Sequence, residues 1–153
     1  MQASILPVFT QGAPLVSIIV PAYNEEVNAI RTVESLLKQI YPDLEIVFVD
    51  DGSKDNTYHL VAAHFAGNPK VKVVTKTNGG KATALNYGIS LASNEFVVCI
   101  DADTQLQQDA VAELMKKFNA PDVAAVAGNV KVGNEINMIT NWQSIEYITS
   151  QNF

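Results

Sequence analysis

The chain has 153 residues, 48% of them hydrophobic, which is about one domain's length and apolar enough to bury one sizeable core. Its formal net charge of −6 argues against nucleic acid or an anionic membrane surface as the main partner, since both reward clustered Lys and Arg. The single cysteine, Cys99, can form no intramolecular disulfide, as befits a reducing compartment, and no run reaches the ~18 apolar residues that a membrane-spanning helix needs.

Residues 1–14, MQASILPVFTQGAP, carry no sustained period and no charged signal-peptide start, so they read as a leader or flexible arm, with one folded unit over 15–153. Val16–Val20 is the first apolar run of strand length, and Leu44–Val49, Val71–Thr75, Phe96–Ile100 and Val123–Val126 follow it. Between the runs, apolar residues take helical spacing. The sets are Ile30, Val33, Leu36, Leu37 and Ile40; Leu60, Val61, His64 and Phe65; Ala84, Leu85, Gly88 and Leu91; and Val111, Leu114, Met115 and Phe118. A repeating βα unit with strands apolar throughout predicts an α/β fold: a mainly parallel, doubly wound sheet with helices on both faces and right-handed crossovers. After Gly133, Ile136, Ile139, Trp142, Ile145 and Ile148 recur every three residues, which predicts an amphipathic helix with Trp142 as a packing residue. The sequence stops at Phe153 with no cap, Gly or Pro, so a truncated domain is expected.

In open α/β sheets ligands bind beyond the carboxyl ends of the strands, so the residues after each run matter most. They are PAYNEE (Pro21–Glu26), DDGSKDNT (Asp50–Thr57), KTNGGKATALN (Lys76–Asn86) and DADTQ (Asp101–Gln105). Asn24, Asp55 and Asn78 read as helix N-caps. The acid pairs Asp50 with Asp51 and Asp101 with Asp103 are different, because like charges so close repel unless a cation, a proton or solvent relieves them. Mg²⁺ or Mn²⁺ would do so, since these hard ions use one or two carboxylates and complete their shell with water and phosphate oxygens. Asp103 is the expected metal ligand and Asp101 the candidate second one. NGGK (Asn78–Lys81) opens a predicted helix, offering glycine-bared N–H groups, a positive helix end and a cation to an anion such as phosphate, though not with Walker spacing. His59 and His64 lie five residues apart, off one helical face, and read as structural or surface groups.

The ordered motifs VSIIVPAYNEE, LEIVFVDDGSKDNT, TNGGKATALNYGI and FVVCIDADTQL, over about residues 15–133, resemble the family 2 glycosyltransferases. These are inverting enzymes of GT-A fold, Rossmann-like in their sheet, that use nucleotide-diphosphate sugars. GGKATALN, CIDADTQL and VAAVAGNVKV are similar to bacterial processive polysaccharide synthases of the poly-N-acetylglucosamine, hyaluronan or chitin type. The resemblance implies that Pro21, Ala22 and Tyr23 line a uridine pocket, that Glu25 sits near the ribose or base, and that Asp50 accepts the uracil N3–H with Asp51 beside it. It further implies Lys81 near the nucleotide, Asp101 and Ala102 nearer the ribose, Asp103 on the diphosphate through Mg²⁺ or Mn²⁺, and Gly128 and Asn129 toward the acceptor.

An inverting transfer also needs a carboxylate base on the acceptor hydroxyl, which the family carries well after its D-x-D element. Asp109, Glu113 and Asp122 follow too closely, and Glu135 and Glu146 lack the acidic context, so all five read as surface residues; Q-x-x-R-W is also missing. The expectation is therefore the donor-binding part of a metal-dependent enzyme that moves sugar from a UDP-sugar to a growing glycan. The longer parent protein would be membrane-anchored, with this domain at the cytoplasmic face of the inner membrane and no nucleic acid partner. Two alternatives stand beside it. One is a non-catalytic nucleotide-sugar-binding module. The other is a haloacid-dehalogenase-type phosphatase, whose D-x-D-x-[TV] nucleophile motif DADTQ matches except at Gln105 and in its place on the fourth strand.

Overall fold

The computed structural model describes residues 12–118 and 123–128, together with the backbone of 148–150. Its first strand, β1 (Val16–Ala22), is buried at every position and sits between β2 (Leu44–Asp50) and β4 (Phe96–Cys99), parallel to both. A strand enclosed on both edges and both faces has no solvated side to mark with polar residues, which is why VSIIV is apolar but for Ser17, whose buried hydroxyl donates to Glu45 (2.7 Å). β3 (Val71–Thr75) pairs with β2 at the sheet's edge, and its side chains are only partly buried. The order is β3-β2-β1-β4-β6-β5, with β5 (Ala125–Val126) and β6 (Ile148–Ser150) completing an antiparallel border along β4.

Three of the helices cover one face. α1 (Ala29–Leu37), α2 (Thr57–His64) and α4 (Ala110–Met115) enclose the larger core, which includes Ile18, Val20, Phe48, Val33, Leu36, Val61 and Met115. Each such fully buried aliphatic or aromatic side chain is worth about 1.5–3 kcal/mol. α3 (Lys81–Leu91) covers the other face, where Ala84, Leu85 and Ile89 meet Ile19, Val47, Val49 and Val97. Gly88 lets α3 come that close: a Cβ there would stand 2.4 Å from Ile19 Cγ2. Half-buried Cys99 packs at the margin of this second core.

Several expectations change. The run expected as a strand over Val123–Val126 is a strand only at Ala125–Val126, and Ile148, expected on a helix, opens β6. Ile-Thr-Ser is β-branched for two of three residues, and the outer edge of β4 offers a ladder to complete. Ile136, Ile139, Trp142 and Ile145 lie outside the described residues. α1 ends at Leu37, leaving Ile40 47% exposed. The end of the expected arm belongs to the fold: Ala13 packs on the larger core and the Pro14 carbonyl accepts a hydrogen bond from Tyr41. Burial, with Asp43 nearby, pushes the Tyr41 hydroxyl up to about 12. Among the described residues no helix is long and apolar enough to cross a membrane.

Candidate functional site

β1 is the point where the chain's winding reverses. From it the connections through α1 and α2 run to β2 and β3 on one side, while α3 carries the chain across to β4 on the other. Loops leaving neighbouring strands in opposite directions open a crevice at their carboxyl ends. Pro21 marks the crevice. Ile19 still accepts the Ile100 N–H (3.0 Å) on the β4 side, but two residues on, where Pro21 lacks a donor, β4 has already ended.

The four polar exits are tied to one another around this rim. Asn24, at φ 56°, donates its N–H to Ser53 Oγ (2.9 Å) and accepts the Lys54 N–H (2.8 Å). The Glu25 N–H donates to Thr57 Oγ1 (2.8 Å), and the Glu26 carboxylate accepts the Asn56 N–H (3.0 Å). Asn78 Nδ2 donates to the Asp51 carbonyl (2.9 Å), and Gly52, at φ 68°, allows that approach, since a Cβ there would lie 2.7 Å from Asn78 N. Lys81 pairs with Asp101 at 2.8 Å, joining the last two exits. Asn24 and Asn78 thus cross-link loops and do not cap helices. Asp55 does serve a helix start, accepting the Thr57 N–H (2.9 Å) from just before the N-cap residue Asn56. Burial pushes its carboxyl up, but the Thr57 and Glu26 donors outweigh this and hold it below the usual range.

The two acids of DDGS are both buried and face different donors. Asp50 accepts from Thr75 Oγ1 (2.7 Å) and, at 3.3 and 3.4 Å, from the Ser53 N–H. Asp51 accepts from Lys76 Nζ (2.6 Å), the Gly79 N–H (3.1 Å) and the Gly80 N–H (2.7 Å). Burial pushes the Asp51 carboxyl up, yet those three donors together hold it below the ordinary range. The expected phosphate cradle at NGGK is therefore corrected: an internal carboxylate takes its glycine N–H groups. Lys76, which sequence reasoning passed over, is the cation of that brace.

The D-x-D segment is a tight turn, closed by the Thr104 N–H on the Asp101 carbonyl (3.0 Å). Ala102 is 3% exposed with its methyl in the larger core, while Asp101 and Asp103 flank it half-buried. Pro21 and Ala22 are buried in β1, Tyr23 is exposed at the rim, and Glu25 is half-buried beside Asn28. Gly128 follows β5 at the antiparallel border, and Asn129 lies outside the described residues. Among the expected surface acids, Asp109 is exposed and Glu113 pairs with Lys116, while Asp122, Glu135 and Glu146 lie outside the described residues. His64 pairs with Glu34 on the surface (3.0 Å) and His59 is exposed, as expected.

Among the described residues no three His, Cys, Asp or Glu side chains converge as a metal cage. Asp101 and Asp103, two carboxylates in one turn with Asp103 Oδ1 shielded from solvent, instead suit a hard cation that takes its other oxygens from water and a bound ligand. Thr32 was also missed. Its signal was a polar residue on the apolar stripe of α1, among Ala29, Val33 and Leu36.

Residues 17–152 match the model of glycosyl transferase family 2. The chain belongs to this family. It is 39% identical over 134 residues to a poly-beta-1,6-N-acetyl-D-glucosamine synthase of Staphylococcus epidermidis, a match covering 86% of this chain and 32% of the relative. The corresponding synthase of Staphylococcus aureus is 36% identical over 133 residues, with the same coverage. The chain thus spans about a third of the length of these relatives. Among solved structures it resembles the mannosyltransferase PcManGT from Pyrobaculum calidifontis in complex with GDP-Man and Mn²⁺, at TM-score 0.75 and 33% identity over 82% of this chain and 37% of that one. It also resembles Staphylococcus aureus TarS in complex with UDP-GlcNAc, at TM-score 0.60 and 32% identity, over 67% of this chain and 31% of that one. The expected α/β fold of GT-A type is borne out, and with family membership the phosphatase reading falls.

Proposed function

We propose that the chain forms the donor site of a glycosyltransferase that moves a sugar from a UDP-sugar to a growing glycan, with inversion and with Mg²⁺ or Mn²⁺. The observation that carries this reading is the convergence of all four polar exits on one rim at the β1/β4 crevice, linked by the Lys81–Asp101 pair. The family match, the relatives named as synthases and the neighbours holding UDP-GlcNAc or GDP-Man with Mn²⁺ support it.

Pro21, Ala22 and Tyr23 form the floor and lip of the nucleoside pocket, and Glu25 borders the ribose or base. Asp50 accepts the uracil N3–H, because its present donors are one hydroxyl and a long amide contact, whereas Asp51 is engaged on both oxygens by the loop brace. Lys81 neutralises the diphosphate, Asp101 borders the ribose while Ala102, its methyl in the core, supports the turn beneath it, and Asp103, with Asp101 in reach, holds the cation. When bound, the cation supplies Lewis-acid stabilisation of the charge that grows on the departing diphosphate. The carboxylate base, the acceptor groove beyond Gly128 and Asn129, and anchoring segments that hold this domain at the cytoplasmic face of the inner membrane belong to the rest of a longer protein.

Calorimetry with UDP, GDP and ADP, each with and without Mn²⁺, tests the reading. UDP should bind best and tighten with Mn²⁺; Asp103→Ala should abolish the metal-dependent part, and Asp50→Ala should weaken even metal-free UDP. Equal binding of the three nucleotides removes the uracil assignment, and an unchanged metal response in Asp103→Ala removes the cation site.

A further inference from the structure

We infer that Thr32 on α1 and Gln39 just past its end, two buried polar side chains, are positioning residues that set the D-x-D turn; this rests on the cation reading above. Thr32 is 1% exposed and Gln39 8%. A buried hydroxyl or amide is costly unless bonded, and valine would fill the place of Thr32 without that cost, so a polar group here answers to a fixed acceptor. Thr32 Oγ1 donates to the Ala102 carbonyl at 2.7 Å. Gln39 Nε2 donates to the Gln107 carbonyl (2.7 Å), while its Oε1 accepts the Val111 N–H (3.0 Å). The Ile40 N–H adds a bond to the Gln108 carbonyl (2.8 Å).

These bonds hold the connection from β4 to α4 at both ends. The middle residue of D-x-D is fastened twice, its methyl in the core and its carbonyl on Thr32, and the carboxylates on either side take their aim from it. Binding constellations tolerate errors of about half an ångström, and a side chain on a rigid helix supplies that precision better than a loop can supply its own. If the hydroxyl is removed, the turn must shift to find the stranded Ala102 carbonyl a new donor, and Asp101 and Asp103 shift with it.

The test compares UDP affinity with and without Mn²⁺ in the full chain. In Thr32→Val the ratio of the two affinities should fall about tenfold, the order expected for one stranded buried carbonyl. Thr32→Ser, which restores the hydroxyl, should recover the ratio, and the electron paramagnetic resonance spectrum of bound Mn²⁺ should change in the valine variant and return in the serine one. If the wild-type chain shows no Mn²⁺ effect, the cation reading fails and this inference with it. A wild-type effect that persists undiminished in folded Thr32→Val overturns the positioning role alone. Should the valine variant not fold, Thr32→Ser decides: a lost Mn²⁺ response despite the retained hydroxyl overturns the inference.

Discussion

Asp51 answers, inside the protein, the glycine loop that looked suited to a phosphate. Its two oxygens collect the Gly79 and Gly80 N–H groups and the Lys76 ammonium, and the result joins the exits of β2 and β3. Because its folded pKa lies below the unfolded value, the charged form contributes stability that is present above the ordinary carboxylate range and lost as pH falls through about 4 and below. Asp51→Asn keeps the shape but sets an amide against N–H donors and leaves Lys76 without its charge partner, so it should cost about 2–3 kcal/mol at pH 7. Urea melts of both proteins at pH 7 and pH 3 check this: the gap between them should narrow at pH 3, and an equal gap at both would show that charge is not what Asp51 contributes. The residue types at the site were legible, because acids placed in pairs where apolar strands end demand a partner, whether a ligand or, as for Asp51, another loop. Their partners were not. Lys76 is 25 residues from Asp51 and Thr32 is 70 from Ala102, and no local spacing encodes a contact across that distance.

The parallel strands announced themselves as short, mostly apolar runs, interrupted only by single polar residues such as Ser17, Glu45 and Lys72, while the antiparallel border did not. β5 has two residues and β6 three, too few to establish a period, and Ile148 fits a three-residue repeat as readily as a strand. α3 shows a different limit. Its apolar positions were found, but the reason for Gly88 appears only when the helix lies on β1 and β2, with Ile19 and Val49 against its Cα. Gly88→Ala should gain up to about 1 kcal/mol in helix propensity yet lose about 1–3 to overpacking, and the 2.4 Å approach to Ile19 sets the cost toward the upper end, a net destabilisation of about 1–2 kcal/mol. Chemical denaturation reads it as a lower midpoint at unchanged slope; a raised midpoint would mean that α3 can lift off the sheet at little cost.

The whole chain carries a charge of −6, and its proposed ligand is an anion. At the rim itself Glu25, Asp50, Asp51, Asp101 and Asp103 face Lys76 and Lys81, so the local balance is acidic too. A site built this way disfavours a bare diphosphate and accepts one that arrives with a cation, which makes ionic strength a diagnostic. Repulsion between the acidic molecule and metal-free UDP reaches about 30 Å at 10 mM salt but only about 8 Å at 150 mM, so metal-free affinity should rise as salt is added. With saturating Mn²⁺, two positive charges enter the rim and the dependence should flatten or reverse. Calorimetric titrations of UDP across that salt range, with and without Mn²⁺, give both slopes. A metal-free affinity that falls with salt would mean that the lysines outweigh the acids at the site, and the cation would then have no electrostatic reason to be there.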